Sequence, residues 1–446
     1  MKTCWMSTPL LACLLLASVW MAWPSPAQTI GPVTANATAD KLRLEDVLRL
    51  ALERSPEAKG ANSAIRAMEH RVPQAKALPD PTVAVGWAGK LLPFDTMAGD
   101  ASSYRGITVS EQFPSPGKLR LQGQIAARDV EAARAECEAA RRRTTLAVEL
   151  AFAEYFYLDK AIASTRQNKE FLQNLASIAE AQYRVGKAMQ QDVLRAQVEI
   201  SMLMEKQAML EQEQAMAAAD LNAALQQSPE TPLPAPENLD APPIQYTLDE
   251  IYALANGNDT GLARNQTLIE RDKLSVALAE RQNRPDIGVS YMFEQRTDQP
   301  AMNGVTVSVA LPLFRKTKQH QAMAEAAETL LSTEKMQESQ RTAVRAEVRR
   351  QMLAAETAQR LITLYSKAIV PQSSLALESA MSEYQVGKVD FLSLLTSFTT
   401  QLNYETETYR QIANYRKAVA NIESLTGQSI TADRPESSIT AAKGAH

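Results

Sequence analysis

Four stretches of this sequence are unusually long for chain segments without glycine or proline. They are residues 124–185, 187–227, 313–370 and 388–426, of 62, 41, 58 and 39 residues. As one helix, the first stretch would be roughly 90 Å long at ~1.5 Å per residue. A helix of that length has no globular core to lie on and needs neighbouring helices along its whole length. The stretches therefore predict long antiparallel coiled-coil hairpins.

The sequence also contains two similar units. Tyr183-Arg-Val-Gly186 recurs as Tyr384-Gln-Val-Gly387 at an offset of 201 residues. Residues 107–110 recur as 305–308 at an offset of 198, and Pro79-Asp80 recurs as Pro285-Asp286 at an offset of 206. Collinear matches with similar offsets predict a tandem duplication. Each Tyr-x-Val-Gly segment is expected to form a hairpin tip, because glycine accepts the backbone angles that end a helix. Pro371 is expected to kink or interrupt its helix.

The composition of successive segments predicts the domain organisation. An apolar run at 10–23 followed by small residues predicts a signal peptide, 1–27, with cleavage before Gln28. A lipobox-like segment ends at Cys13, but it lies at the start of the apolar run, so acylation there is disfavoured and stays open. The remaining predicted segments are a first repeat (28–227, with its hairpin at 119–227), a proline-rich linker (228–246), a second repeat (247–427, with its hairpin at 314–427) and a flexible tail (428–446).

Four segments of about ten residues alternate apolar with small or polar side chains. They predict strands at 82–90, 104–113, 286–297 and 304–313, joined within each pair by outer loops at 91–103 and 298–303. Strands of that length can cross a bilayer when tilted. A soluble antiparallel sheet shows the same alternation, but the export signal and the absence of a globular core favour the membrane. Four strands cannot close a barrel, whereas three copies would supply twelve.

Composition and charge exclude several classes of function. The net charge is −4, from 47 Lys and Arg against 51 Asp and Glu, so no basic excess attracts nucleic acid. Three histidines and three cysteines are too scattered to predict a metal site or a disulfide framework. The four methionines 202, 204, 209 and 216 are interpreted as coiled-coil packing rather than as metal ligands. No catalytic constellation is visible, so neither an enzyme nor a cofactor is expected.

The chain resembles the TolC-like outer-membrane efflux channels over nearly its whole mature length. Local marks of the resemblance are residues 44–52 with Ser55-Pro56, and the two Tyr-x-Val-Gly turns. The segment 112–118 resembles the branch that serves heavy-metal pumps of the resistance-nodulation-division class. The resemblance implies a mainly α fold with a small membrane β part: a homotrimer with a helical α-barrel in the periplasm and a 12-stranded β-barrel in outer-membrane lipid.

The resemblance also implies partners and site residues. The hairpin tips would contact a periplasmic adaptor (membrane fusion protein) that links the channel to an inner-membrane pump. The corresponding tip residues are Val185, Gly186, Lys187, Val386, Gly387 and Lys388. The family's aspartates past the second tip, which constrict the periplasmic entrance, are replaced here by Ser393 and Thr396, and the first-repeat equivalents are Asp192 and Arg195. A hydrophobic or hydroxyl-lined constriction in place of an acidic ring is therefore the hypothesis.

Two other functions stay open at this point. The duct of a type I protein secretion system would share the same channel architecture, and a periplasmic coiled-coil adaptor or scaffold would share the long hairpins. Two hairpins and four long alternating strands disfavour an adaptor, which usually has one hairpin flanked by β domains. The exported compound is not encoded in any recognisable motif.

Overall fold

The computed structural model describes residues 41–90, 96–100, 102–297 and 299–431. The expected signal peptide (1–27) with Cys13, the end of the tail (432–446) and part of the loop 91–103 lie outside the described residues.

The described residues follow the same order of elements twice. The first half contains α1 (Leu44–Arg54), α2 (Pro56–Lys76), β1 (Thr82–Ala88), β2 (Tyr104–Phe113), α3 (Lys118–Arg184) and α4 (Gln190–Ala224). The second half contains α5 (Leu248–Asn258), α6 (Thr260–Arg281), β3 (Asp286–Arg296), β4 (Gln299–Ala310), α7 (Gln319–Leu364), a π-helical turn (Tyr365–Ile369), α8 (Val370–Gln385) and α9 (Phe391–Thr426). The 67 residues of α3 make it about 100 Å long.

Helix starts follow local capping chemistry. Thr247 and Glu250 form a reciprocal capping box at the start of α5. The interruption expected at Pro371 is present, since a π-helical turn separates α7 from α8 immediately before that residue. Proline lacks the N–H of a helical hydrogen bond and its ring clashes with the carbonyl four residues earlier, at Lys367, so the wider turn relieves the clash.

The fourth strand differs from its predicted bounds of 304–313. It begins at Gln299, because Arg296 still pairs with Gln299 after a bulge between Glu294 and Arg296. The expected outer loop 298–303 is therefore mostly strand. The strand ends at Ala310, before Pro312, which cannot donate a ladder hydrogen bond. The predicted hairpin start at 314 is also wrong: Phe314 O accepts from the N–H groups of Thr317 and Lys318 in a turn, and α7 begins only at Gln319.

The four strands form one antiparallel sheet in the order β1-β2-β3-β4, which leaves β1 and β4 at its edges. The register places apolar residues opposite apolar residues, as in Val85↔Ile107 and Val289↔Val307. Small and polar residues likewise meet each other on the opposite face, as in Ser110↔Ser290. The sheet therefore has one mainly apolar face, interrupted by Glu111 opposite Val289, and one small, polar face.

The apolar face of the sheet is the more exposed one. Its exposed residues are Val83, Val85, Ile107, Val109, Ile287, Val289, Tyr291, Phe293, Val305, Val307 and Val309. On the other face of β2 and β3, Thr108, Ser110, Ser290 and Glu294 are at least half-buried, whereas Gln112 near the end of β2 is exposed. A water-soluble sheet with one buried face has the opposite arrangement.

The helices pack in a defined lateral order. Extensive contacts join α4 to α3, α3 to α9, and α9 to α7 and α8. Short helices cover the middle of this bundle, with α1 packed on α3 and α5 packed on α7 and α9. The linker is held there as well, because the Tyr155 hydroxyl donates to Leu233 O at 3.2 Å and the Tyr415 hydroxyl donates to Pro242 O.

Among the described residues, no helix combines the length and the apolar character needed to span a bilayer.

Candidate functional site: the hairpin tips

Each hairpin turns at its Tyr-x-Val-Gly segment through the same hydrogen-bonded motif. Gly186 N–H donates to Tyr183 O at 3.0 Å and Lys187 N–H donates to Gln182 O at 2.8 Å. In the second tip Gly387 and Lys388 repeat these bonds at 3.0 and 2.9 Å. This pair of bonds is the Schellman motif, and it requires a left-handed residue. Gly186 and Gly387 supply it, with φ angles of +72° and +77°.

The tips present apolar side chains to solvent. Val185 and Val386 are each 68% exposed, and Lys187 and Lys388 beside them are exposed too. Met189, at the start of the descending helix of the first tip, is 69% exposed. A turn does not need an exposed branched apolar residue for its own stability. Apolar residues bordered by lysines are suited to bind another protein.

The predicted entrance residues of the first repeat lie at the start of α4. The Asp192 carboxylate accepts a hydrogen bond from the Met189 backbone N–H at 3.2 Å. It thereby satisfies one of the free N–H groups at the helix N-terminus and complements the helix dipole. Arg195 is exposed one turn further along the helix.

The predicted entrance residues of the second repeat, Ser393 and Thr396, are exposed near the start of α9. Ser393 N–H donates to the carboxylate of Asp390 at 3.0 Å, and the Thr396 hydroxyl donates back to Leu392 O at 2.8 Å. Asp390 is thus the N-cap of α9. Sequence comparison missed this residue, although an aspartate directly before an apolar helical run is a recognisable N-cap signal. The carboxylate of the first repeat, Asp192, is at the third position of α4, whereas that of the second repeat, Asp390, is at the N-cap of α9.

Electrostatic interactions connect the two tips. Hydrogen bonds from Ser393 hold the pKa of Asp390 below its usual value, and the positive charge of Arg195 acts in the same direction. Burial raises the pKa of Tyr384, and the negative charge of Asp192 raises it further. Residues of each repeat therefore act on residues of the other. Of the four predicted entrance residues, Asp192 and Arg195 interact electrostatically with the second tip.

A shared apolar cluster holds the two hairpins together behind the tips. Phe171 of α3 stacks on Phe398 of α9 with ring centroids 5.5 Å apart. The fully or nearly fully buried members of the cluster are Leu172, Leu175, Ala179, Ala196, Leu203, Leu377, Tyr384, Phe391, Leu394, Phe398 and Leu402. Its members come from α3, α4, α8 and α9. A displacement of one tip must therefore disturb the packing of the other.

The interpretation of the α4 methionines as packing is wrong for a single chain. Met202, Met209 and Met216 recur every seven residues and are 53–57% exposed. Each directly precedes a buried residue, Leu203, Leu210 or Ala217, so the methionine row lies about 100° around α4 from the buried row. In the described part of the chain, no group of three or more His, Cys, Asp or Glu side chains is arranged to hold a metal ion.

Comparison with known proteins gives a consistent result. Residues 47–226 match the family model described as outer membrane efflux protein. No curated protein matches the sequence. Similar solved structures include the outer membrane protein VceC from Vibrio cholerae, at 16% identity and a TM-score of 0.73, covering 87% of this chain and 96% of that one.

Two further structures show the same fold. The CmeC outer membrane channel of Campylobacter jejuni has 12% identity and a TM-score of 0.74, with coverage of 90% of this chain and 89% of that one. The open state of the MtrE outer membrane channel of Neisseria gonorrhoeae has 16% identity and a TM-score of 0.71, with coverage of 87% and 90%.

Proposed function

We propose that this chain, whose residues 47–226 match the outer membrane efflux protein family and whose fold is that of solved outer-membrane channels, is a TolC-like channel and the exit duct of a tripartite efflux pump. In this proposal three copies form one water-filled passage from the periplasm to the outside. The protein is then a passive channel of the outer membrane rather than an enzyme, in keeping with the family that its first repeat matches. Energy for transport comes from the inner-membrane pump.

The observation that carries the proposal is the exposed apolar face of a sheet with two open edges. Lipid is the solvent that favours such a face, and a sheet edge is not tolerated in lipid because its N–H and C=O groups stay unpaired. Three copies of the order β1-β2-β3-β4 close into a barrel of twelve strands, with the small, polar face inside. One chain alone cannot close such a barrel.

The helices support the same assembly. Within a chain, α4 lies at one end of the lateral order and α7 with α8 at the other. The exposed methionines at seven-residue spacing on α4 form a second apolar seam, separate from the buried one and accessible to a neighbouring helix. We assign that seam to α7 and α8 of the next subunit. Twelve long helices then continue the passage below the barrel.

The tips are the proposed docking site for a periplasmic adaptor. Val185, Gly186, Lys187 and their counterparts Val386, Gly387, Lys388 form six similar turns in a trimer, since the two turns of each chain have the same geometry. An adaptor with one binding surface could therefore engage all six positions. Both hairpins of a chain share one apolar cluster, so docking that displaces one tip would also displace the other. We propose that this movement opens the passage.

The entrance between the tips is proposed to be only weakly cation-selective. Ser393 and Thr396 bring hydroxyl groups to the start of α9, and the Asp390 carboxylate is engaged by the Ser393 N–H. Asp192 is accompanied by Arg195 on the same helix. We expect single-channel recordings to show modest cation preference without strong block by multivalent cations. Strong block at the entrance would contradict this part of the proposal.

Efflux is favoured over type I protein secretion by the family that the first repeat matches. Substrates such as heavy-metal ions or small toxic compounds would pass by diffusion, since selection in such systems is a property of the pump. The proposal therefore leaves substrate choice to the adaptor and pump that dock at the tips.

The decisive experiment combines assembly with docking. The purified protein is expected to run as a trimer on unboiled denaturing gels and as a monomer after boiling. Val185→Asp and Val386→Asp should abolish adaptor binding and pump-dependent resistance without changing trimer formation, whereas the isosteric Val185→Thr and Val386→Thr should keep part of both. A monomeric, water-soluble protein would overturn the proposed duct, and normal adaptor binding by the aspartate variants would overturn the proposed docking site.

A further inference from the structure

A charged contact joins the segment that follows β2, the exit from the strands of the first repeat, to the start of β3, the entry to the strands of the second repeat. Ser115 N–H donates to the Asp286 carboxylate at 2.6 Å, and Lys118 Nζ lies 2.8 and 3.0 Å from its two oxygens. The Lys118 side chain is only 12% exposed. Arg281 Nη1 adds a bond of 2.6 Å to Pro116 O. The segment after β2 is thereby fastened to the residue with which β3 begins.

The duplication places the same two charges at the other ends of the chain. The offset of 198 residues relates Lys118 to Lys316, after β4, and the offset of 206 relates Asp286 to Asp80, before β1. Lys316 and Asp80 are both exposed, and within the described residues neither side chain forms an ion pair. Within the described residues, Lys118 and Asp286 therefore form a contact that their equivalents Lys316, after β4, and Asp80, before β1, do not form.

The unpaired edges of the sheet indicate how Lys316 and Asp80 of different subunits could meet. Within the chain, the exit strand β2 pairs with the entry strand β3. The unpaired edges belong to the other exit strand, β4, and the other entry strand, β1. Pairing β4 with β1 of a second copy repeats the internal arrangement and removes both edges. It brings the segment after β4 next to the residues before β1.

The internal register also fixes the register of that pairing. Val109↔Tyr291 becomes Val307 opposite Val85 of the partner subunit, and Ser110↔Ser290 becomes Ser308 opposite Ala84 of the partner subunit. Apolar residues again meet apolar residues, and small residues meet small ones. A slip of one residue would reverse the faces, so the transferred register keeps the apolar face continuous around the barrel.

We propose that Lys316 of each subunit binds the carboxylate of the partner subunit's Asp80, and that Val307 lies opposite the partner subunit's Val85. This inference rests on the proposed trimer and gives its barrel seam at the level of residues. The contact closes the barrel at its periplasmic rim, where the strands become helices.

A groove beside Asp80 fits the apolar residues that accompany Lys316. The groove has a volume of about 700 Å³ and is lined by Leu78, Pro79, Asp80, Pro114 and Leu119 among others. Leu313 and Phe314 are 79% and 76% exposed in the single chain. In the proposed seam they reach this groove of the partner subunit, which covers apolar side chains that would otherwise face water.

Charge exchange tests the ion pair in the full-length protein. Asp80→Lys and Lys316→Asp should each lower the temperature at which trimers dissociate on denaturing gels, and the double variant should recover most of the loss. Lys318→Asp, two residues away and also exposed, is the control that Asp80→Lys should not rescue. Failure of the double variant to recover beyond the single variants would overturn the ion pair.

Disulfide cross-linking tests the register independently, in a Cys137→Ala background. Val85→Cys with Val307→Cys should give covalent dimers and trimers on boiled non-reducing gels. Val83→Cys with Val307→Cys, shifted by two residues, should give far fewer. Stronger linking of the shifted pair in intact trimers would overturn the register while the trimer stands. If the wild-type protein formed no trimers, the proposed duct itself would fail.

Discussion

Tyr183 and Tyr384 occupy equivalent positions in the two tips, yet Tyr183 is 44% exposed and Tyr384 only 4%. The ring of Tyr384 packs at an angle against Phe391, with centroids 5.7 Å apart. The residue equivalent to Phe391 in the first repeat is Gln190, which offers no ring to pack against. The Phe391 ring therefore helps to bury Tyr384, whereas Gln190 gives Tyr183 no such contact.

The first prediction compares truncation at these two tyrosines. Tyr384→Ala should destabilise the second tip by about 3–5 kcal/mol, because it opens a cavity in a buried cluster. Tyr183→Ala should cost about 1 kcal/mol or less, as expected for an exposed side chain. Amide hydrogen exchange across residues 377–402 of the purified trimer measures the difference. Tyr384→Phe is the control and should be nearly neutral, because the buried hydroxyl has no hydrogen-bond partner among the described residues. Equal effects at the two tyrosines would contradict the assignment.

The second prediction concerns pH at the start of α9. The pKa of Asp390 is lowered in the folded protein, first by its hydrogen bonds from Ser393. The cap contribution is therefore complete above the unfolded value of about 3.9 and is lost as the pH falls through the lower folded value. Hydrogen-exchange protection of the Ser393 amide, corrected for intrinsic rates, should be constant from neutral to mildly acidic pH and decrease only in strong acid. Asp390→Ala should lower the protection at neutral pH and remove this pH dependence; an unchanged profile would contradict the capping role.

The long elements of the fold were predictable because their signals are local. Glycine-free and proline-free stretches require helices, and Gly186 and Gly387 must end them, since the turns need positive φ angles. The start of β4 was not predictable in the same way. Residues 299–303 lack clear apolar alternation, and they extend the strand because pairing with β3 continues through a bulge.

The candidate site was less accessible to sequence than the fold. Aligning the two repeats by position compares Ser393 with Asp192 and suggests that the carboxylate is lost. The structure shows that the carboxylate is carried by Asp390 instead, three residues earlier, with the same role at the helix N-terminus. The exposure of Met202 and its neighbours was also missed, because a seven-residue spacing does not tell whether the facing helix belongs to the same chain or to another.

The third prediction concerns the attachment of the linker. Burial raises the pKa of Tyr415 to about 12, and its hydroxyl donates to Pro242 O. Tyr415→Phe should cost about 1–3 kcal/mol, because the part-buried carbonyl of Pro242 loses its donor. Limited proteolysis should then cut the linker 228–246 faster than in the wild type. Tyr409→Phe keeps the edge contact of its ring with Phe156 and is the control; equal acceleration in both variants would contradict a specific anchoring role.

The fourth prediction compares two adjacent arginines of α3. Arg142 Nη1 donates to Asn258 O at 2.8 Å and to Ser424 O at 3.3 Å, near the C-termini of α5 and α9. Arg142 also pairs with Glu138 at 3.2 Å, and its side chain is 20% exposed. Among the described residues, the polar contacts of the Arg143 side chain are ion pairs with Glu57 and Glu136, and this side chain is 53% exposed. A positive charge at two helix C-termini satisfies free carbonyls and complements both dipoles, whereas exposed ion pairs contribute little.

Arg142→Met should therefore destabilise the protein by about 1–3 kcal/mol, and Arg143→Met should cost about 1 kcal/mol or less. Thermal unfolding of the detergent-solubilised trimer measures both, and added salt should reduce the effect of Arg143→Met more than that of Arg142→Met, because the Arg143 ion pairs are exposed to screening. Gly427→Ala provides an independent check on the same junction. Gly427 has a φ angle of +70°, and a Cβ there would collide with the Arg142 guanidinium, so this variant should lower the melting temperature as well. Equal losses for Arg142→Met and Arg143→Met would show that the bonds to the two carbonyls add no stability beyond that of a surface ion pair.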